Sequence, residues 1–440
     1  MPVIGNLLEF QKDRFTLLRR GFETLGPIFT IHLGPKPAVV LVGPEYHDFF
    51  FRETDKMLSM DRAYEFLNAM FKGVAFTAGP SEYDAQRHVI LAPFAGKKMP
   101  GYLEIMVDEI SAWLDGLGER GEFELVSAFQ RITQLVGAHA LMGKAFRDEM
   151  NDEFWNLYAE LSAGIDPVLP PHLPLPKFIK RDRARARLAA IIQRVIDERR
   201  ANPEIHNDFL QDFVEAKYKD GRPLPDELII SIILGLVFAG HETTAGQGSW
   251  ALILLLQHPK YFELVRAELD EHFPPGTPFD HKVMRNLRHL DWALQETERL
   301  RPSADVIFRY NLKSYELGGY QIPKDWLTML APRVSHVNRE IFSNVDEYDP
   351  LRFSSERAEH KVADYTLIGF GGGRHRCSGA NFAHNEMAAF LALTLQRLDM
   401  HLLDKDPSVN YGLGAPRPTA TRIRFQERVH STDPALMVTA

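Results

Sequence analysis

The chain has 440 residues, of which 45% are hydrophobic, 25% charged and 11% aromatic, a balance that excludes disordered, collagen-like and coiled-coil architectures. Lys and Arg total 51 against 59 Asp and Glu, so the formal charge is −8 with no basic block, which excludes nucleic acid as a partner. The single cysteine, Cys377, excludes an intramolecular disulfide and any multi-cysteine zinc or iron–sulfur centre.

In chain order, Met1-Pro2-Val3-Ile4-Gly5 lacks the charged and apolar regions of a signal peptide. Ile28–Leu33 and Ala38–Val42 read as strands joined through Gly34-Pro35-Lys36-Pro37, a hairpin. From 101 to 258 the pattern is mostly helical. Apolar residues recur at three-to-four spacing over Tyr102–Leu117, Leu125–Leu141, Glu153–Ala163 and Lys177–Arg200. Five prolines between Pro167 and Pro176 place a loop there.

Asp226 is the expected N-cap of a helix that runs to about Gln257, before Pro259. At 1.5 Å per residue it is roughly 48 Å long and crosses a whole domain. Its longest apolar run, Leu228 to Gly240, spans 13 residues, too few to cross a bilayer. The chain is therefore expected to be soluble and cytoplasmic, without a membrane span. Further strands are expected at Val306–Tyr310, Tyr315–Ile322 and Arg422–Phe425. The fold class is mainly α with a smaller β portion.

Phe370-Gly371-Gly372-Gly373-Arg374-His375-Arg376-Cys377-Ser378-Gly379 carries the most chemistry. Successive glycines permit positive φ or close approach to a flat object. The cations around the thiol favour a thiolate, and a helix-compatible run from Ala380 to Leu398 offers backbone N–H groups to the sulfur. Such a thiolate suits an iron porphyrin, with basic residues for the propionates. The plainer alternative is a buried free thiol beside a glycine turn.

The Phe-Gly-x-Gly-x-His-x-Cys-x-Gly spacing resembles the haem-binding loop of the cytochrome P450 superfamily; Ser378 departs from it where an apolar residue is usual. Three further segments follow in that family's order. Glu296-Thr297-Glu298-Arg299 resembles its E-x-x-R helix, and Arg352 in Pro350-Leu351-Arg352-Phe353 supplies the second arginine of an implied buried network. Ala239-Gly240-His241-Glu242-Thr243 resembles its oxygen-activation segment, where an acid and an alcohol relay protons; the plainer reading is a helix bend with Thr243 bonded back to a carbonyl. Tyr83 and Arg87, with Phe94, resemble a helix bearing an aromatic and a propionate-binding cation, although tryptophan is typical where Tyr83 stands.

Nearly the whole chain resembles one branch, the sterol 14α-demethylases. Ala63-Tyr64-Glu65-Phe66 with Phe71 is similar to that branch's cavity-lining segment, and Gly143-Lys144-Ala145-Phe146-Arg147-Asp148 and Phe308-Arg309 also resemble it. The opening is similar to that of members without a membrane anchor, which implies a bacterial origin. Two positions depart: Glu242-Thr243 replaces the branch's His-Thr, and Thr77 stands where an acid is expected.

The resemblance implies a single cytochrome P450 domain over 1–440, with haem b between the long central helix and the cysteine-loop helix. A β-rich lobe is expected from about 1–60, 306–330 and the C-terminal tail. Cys377 would be the axial ligand, with Phe370 and Gly371 in its loop. Tyr64, Arg87, Arg309 and His375 would hold the propionates, and Glu242 and Thr243 would deliver protons. Phe66, Phe71, Ala239 and Val306 would line an apolar pocket for a large lipophilic substrate, a sterol or triterpenoid first. The activity implied is a monooxygenase that uses O2, with sterol demethylation ahead of hydroxylation of a fatty acid, terpenoid or secondary metabolite. With no flavin or nicotinamide motif, electrons would come from a ferredoxin or flavodoxin with its reductase, docked at Arg374, Arg376, Lys97 and Lys98. Two other classes stay open: a non-catalytic haem sensor or lipid carrier, and a hydrolase with Cys377 as nucleophile.

Overall fold

The structure, a computed structural model, describes residues 4–149, 152–167, 169–202, 206–412 and 415–429. It is 57% helical with 13% strand, mainly α as expected. The central helix, Asp226–Gln257, is apolar on every side and buried along Leu228–Gly235 and again along Thr244–Leu255. It is long and apolar enough to cross a membrane, but its most apolar window is 61% buried inside the fold. Asp226 is not the N-cap. Pro225 holds that position, because the Asp226 carboxylate is drawn outward to Arg200 and Gln193.

Close approach locks this helix to its neighbours. A Cβ at Gly248 would lie 1.7 Å from the Phe129 ring, and Phe129 stacks on Phe390 at 4.0 Å. One glycine therefore lets the helix that begins at Leu125 and the cysteine-loop helix Ala380–Arg397 meet the central helix. The span Leu125–Glu149 is two helices that meet at Gly143, whose φ of +88° and ψ of 167° are not helical, so the expected helix Leu125–Leu141 stops close to its expected end.

Strands Ile28–Leu33 and Lys36–Leu41 form the expected antiparallel hairpin, with Leu33 opposite Lys36. The turn is thus shorter than expected, and Gly34 supplies its positive φ of 64°. Three more strands, Leu327–Leu330, Ile307–Asn311 and Leu58–Ser59, complete a five-stranded sheet. Tyr315–Ile322 is a hairpin rather than one strand, broken at Gly318-Gly319. The C-terminal strand Arg422–Glu427 does not join the five-stranded sheet. It pairs with Arg120–Glu124 and Leu398–Leu402, because its alternating Ile423 and Phe425 bury against the helical core. Residues 430–440 of the tail lie outside the described residues.

Candidate haem-thiolate site

The cysteine loop is shaped by its glycines. Gly371 and Gly373 take φ of +70° and +61°, and a Cβ at Gly372 would lie 2.6 Å from Phe51 and 2.8 Å from Tyr365. The Cys377 N–H donates to the Phe370 carbonyl at 2.9 Å, closing the loop just before Gly379, the N-cap of the following helix. Cys377 is accessible, yet burial pushes its thiol pKa up. Both hold when the accessible surface faces an interior cleft.

The expectation that crowding cations favour a free thiolate is corrected here. Burial outweighs the Gly379 N–H and the field of Arg376, which pull the other way. Arg374 and His375 contribute little because both turn to Asp55, at 3.3 and 2.6 Å. Burial also opposes ionisation of Asp55, but the His375 hydrogen bond and the fields of Arg374 and Arg309 hold its carboxyl below the usual range. A bound metal ion would favour the ionised sulfur that burial opposes.

Arg309 is 3% exposed and donates to Thr54 Oγ1 at 3.1 Å and the Phe308 carbonyl at 2.7 Å. Among the described residues it forms no ion pair, and burial lowers its pKa. Asp55 acts on it only through its field, and a guanidinium buried without a direct ion pair leaves room for an anion. Tyr64 accepts from the Phe308 N–H at 3.2 Å, beside Arg309. Tyr83 packs on His375 at 4.1 Å and donates to the Arg374 carbonyl at 2.6 Å, so its helix, Pro80–Leu91, rests on the loop. Arg87, one turn on, is exposed and has no ion pair among the described residues. The donor set thus fits an iron porphyrin with two carboxylates: one sulfur ligand facing a cleft, and cations left unpaired.

Ala239 and Gly240 are exposed in the middle of the otherwise buried central helix. Thr243 donates back to the Ala239 carbonyl, and its own carbonyl accepts from Ser303 at 2.8 Å. Glu242 is held elsewhere. Its carboxylate accepts from Arg417 and, at 3.0 Å, from Gln130. His241 sits between Trp155 and Gln134, and burial lowers its pKa to about 4.

Of the expected lining residues, Phe66 and Val306 are half-buried. Phe71 has no exposed surface; it is enclosed by Phe76 and Phe238, so it supports the wall from behind rather than lining it. Thr77, where an acid was expected, is buried and donates to the Phe71 and Val74 carbonyls, ending that turn.

Glu296, Arg299 and Arg352 meet with no exposed surface. Arg299 donates to both Glu296 oxygens at 2.7 and 2.8 Å, and Arg352 donates to the same carboxylate at 3.1 Å. The arginines spend their other donors on the carbonyls of His336, Ser343, Val345 and Glu347, pinning the irregular segment ahead of the cysteine loop. Sequence reasoning missed Asp55, Gln130 and Arg417, whose isolated positions carry no local pattern. It also passed over Glu298, which did carry a signal: an acid one turn after Leu294 on a buried helix face.

The cytochrome P450 family profile matches residues 1–419. A protein of Mycolicibacterium vanbaalenii named sterol 14alpha-demethylase is 34% identical over 90% of this chain and 89% of its own length. A sterol 14-demethylase of Arabidopsis thaliana is 31% identical over 93% of this chain and 86% of its own. Among solved structures, a retinoic acid-bound cyanobacterial CYP120A1 superposes with a TM-score of 0.88 at 25% identity, covering 97% of this chain and 98% of that one. Loop and buried network thus sit in a fold shared along nearly the whole chain, and the chain belongs to the cytochrome P450 family, as a monooxygenase that binds thiolate-ligated haem b.

Proposed function

We propose that this monooxygenase oxidises a sterol or triterpenoid, with 14α-demethylation as its reaction. The observation that carries this reading is the likeness to sterol 14-demethylases from a bacterium and a plant along about nine-tenths of the chain. Phe66, Ala239 and Val306 supply apolar wall, and affinity for a fused-ring lipid would come mainly from burying its surface.

Bound haem supplies the activation of O2 and the insertion of one oxygen atom into substrate. Cys377 Sγ would hold the iron, and Phe370 and Gly371 would shape the loop around it. Arg309, Tyr64, Arg87 and His375 would hold the two propionates. Thr243 presents a hydroxyl beside the accessible Ala239–Gly240 face, where it can hold a proton close to the reacting centre. Glu242 supplies protons only after its carboxylate leaves Arg417, so Arg417 restrains this acid.

Electrons come from a separate carrier, a ferredoxin or flavodoxin with its reductase. The docking face is smaller than first expected, because Arg374 is committed to Asp55 and Asp84 and Lys98 to Asp212. Arg376 and Lys97 remain as exposed cations. Among the described residues one helix is long and apolar enough to cross a membrane, and its most apolar window is 61% buried inside the fold; the reading is of a chain that works in the cytoplasm without a membrane span.

The test is optical. The reduced-CO spectrum of the purified protein reports thiolate ligation, and lanosterol-type sterols are then titrated in. A saturable low-to-high-spin shift followed by demethylated product is the expected result. Thiolate ligation without any sterol shift removes the sterol reading. A second reading, hydroxylation of a non-sterol lipid, is favoured by Glu242 in place of histidine and by the retinoic acid named for the structural neighbour. A spin shift with such acids alone would select it.

A further inference from the structure

Glu298 lies two residues from Glu296, about 200° round the helix, so it points away from the two arginines. It faces the cysteine loop instead. It is 9% exposed, and a Cβ at Gly369 would lie 2.5 Å from its Cγ and 2.7 Å from Oε1. Only a glycine lets the loop backbone settle on this carboxyl. The N–H groups of Gly369 and Phe370 face it closely enough to favour its ionised form, and the Phe370 carbonyl in turn accepts from the Cys377 N–H at 2.9 Å. One residue, Phe370, therefore lies between a buried acid and the backbone of the sulfur-bearing residue. Among the described residues Glu298 has no ion pair.

We propose that Glu298 is a positioning residue for the haem-thiolate centre: its carboxylate fixes the Gly369–Phe370 backbone and places negative charge behind the sulfur. This rests on Cys377 being the haem ligand and goes beyond it. The charge acts in a setting of low polarity, where it is screened little. One-electron reduction of the haem iron adds negative charge to the same region, so a carboxylate there opposes it and holds the potential down. The groups that face Glu298 are Arg376 and Cys377 on the loop and His384 on the cysteine-loop helix; His384 is itself paired with Asp291 at 3.1 Å. Burial pushes the Glu298 pKa up to about 7, against the loop N–H groups and the fields of His384 and Arg376, so at pH 8 the carboxylate form prevails.

The experiment uses the haem-loaded full chain and two variants, Glu298→Gln and Glu298→Leu. The reduced-CO spectrum is recorded first, then the reduction potential by spectroelectrochemistry at pH 8. Glu298→Gln keeps an oxygen to accept from the loop but loses the charge. Its potential is expected to shift upward while its thiolate CO band stays where the wild type has it. Glu298→Leu is expected to shift upward too, with part of its CO band moved to the position of a neutral thiol.

A Gln variant with the thiolate band and the wild-type potential would overturn the proposal. A wild-type protein with no thiolate band would overturn the Cys377 assignment, and this proposal with it. Should Glu298→Gln not load haem, Glu298→Leu is compared instead with Glu298→Asp, which keeps the charge. The Leu protein is expected to have the higher potential, and equal potentials would overturn the proposal.

Discussion

Replacing Glu296 by Ala isolates the contribution of the buried network. In the folded chain its carboxylate takes two bonds from Arg299, one from Arg352 and one from the Asp349 N–H. All three charged side chains have no exposed surface, so water cannot replace the lost acceptor. Arg352 retains Glu359 at 2.8 Å, but Arg299 is left among carbonyls and over the Phe342 ring. Removing one member of a buried ionic group costs ~3–5 kcal/mol, which corresponds to roughly a 140- to 4,000-fold loss in the folding constant. The assay is the urea midpoint of the haem-loaded protein, read together with the reduced-CO spectrum. Glu296→Ala is expected to lower the midpoint steeply and to move part of the CO band away from the thiolate position, because the arginines anchor the segment before the loop. Replacing all three residues by Met should recover much of the stability, since no unpaired charge then remains. A Glu296→Ala protein within about 1 kcal/mol of wild type, below the usual cost of stranding a buried charge, would refute the reasoning.

Other outcomes follow from single contacts. His47 and His336 are bonded inside the fold with pKa values pushed by burial to about 4 and about 3, whereas the unfolded chain takes up protons near 6.5. Their stabilisation is full above pH 6.5 and is lost as pH falls toward 4 and 3, by roughly 2 kcal/mol per histidine at pH 5; His336→Asn should flatten the stability-versus-pH slope there by nearly one proton, and an unchanged slope would contradict it. Gly248→Ala drives a methyl into the Phe129 ring and is expected to cost about 1–3 kcal/mol in thermal unfolding, with partial recovery in Gly248→Ala/Phe129→Leu. Thr243→Val removes the hydroxyl with little change in volume, and should lower product formed per electron consumed by roughly tenfold or more, given what positioned proton donors contribute; unchanged coupling would remove Thr243 from proton handling. Arg417→Gln frees the Glu242 carboxylate and should raise the turnover of a Thr243→Ser protein above its Arg417 parent, whereas equal rates would show that Arg417 does not restrain this acid.

Periodicity placed the long helices and the hairpin because each element's own residues bury its apolar face, and that information is local. The Arg422–Glu427 strand was also visible as a strand, but its partners were not: pairing depends on which buried face receives Ile423 and Phe425. Motif spacing found Cys377, Glu296, Arg299 and Arg352 because those roles recur at constant separations along the chain. The same spacing says nothing about where a side chain spends its hydrogen bonds. His375 and Arg374 looked like free cations beside a thiol, and only the fold brings Asp55, some 320 positions earlier, against them. Glu242 looked like a ready proton donor, and only the fold brings in Arg417. In both places the charge that a motif supplies is opposed by a charge from a distant segment, so the motif specifies the kind of chemistry while the distant partner determines when its charge is available. A sequence pattern therefore overstates the reactivity of an acid or cation wherever the fold supplies a counter-charge in direct contact, and understates it at Arg309, which forms no direct ion pair among the described residues.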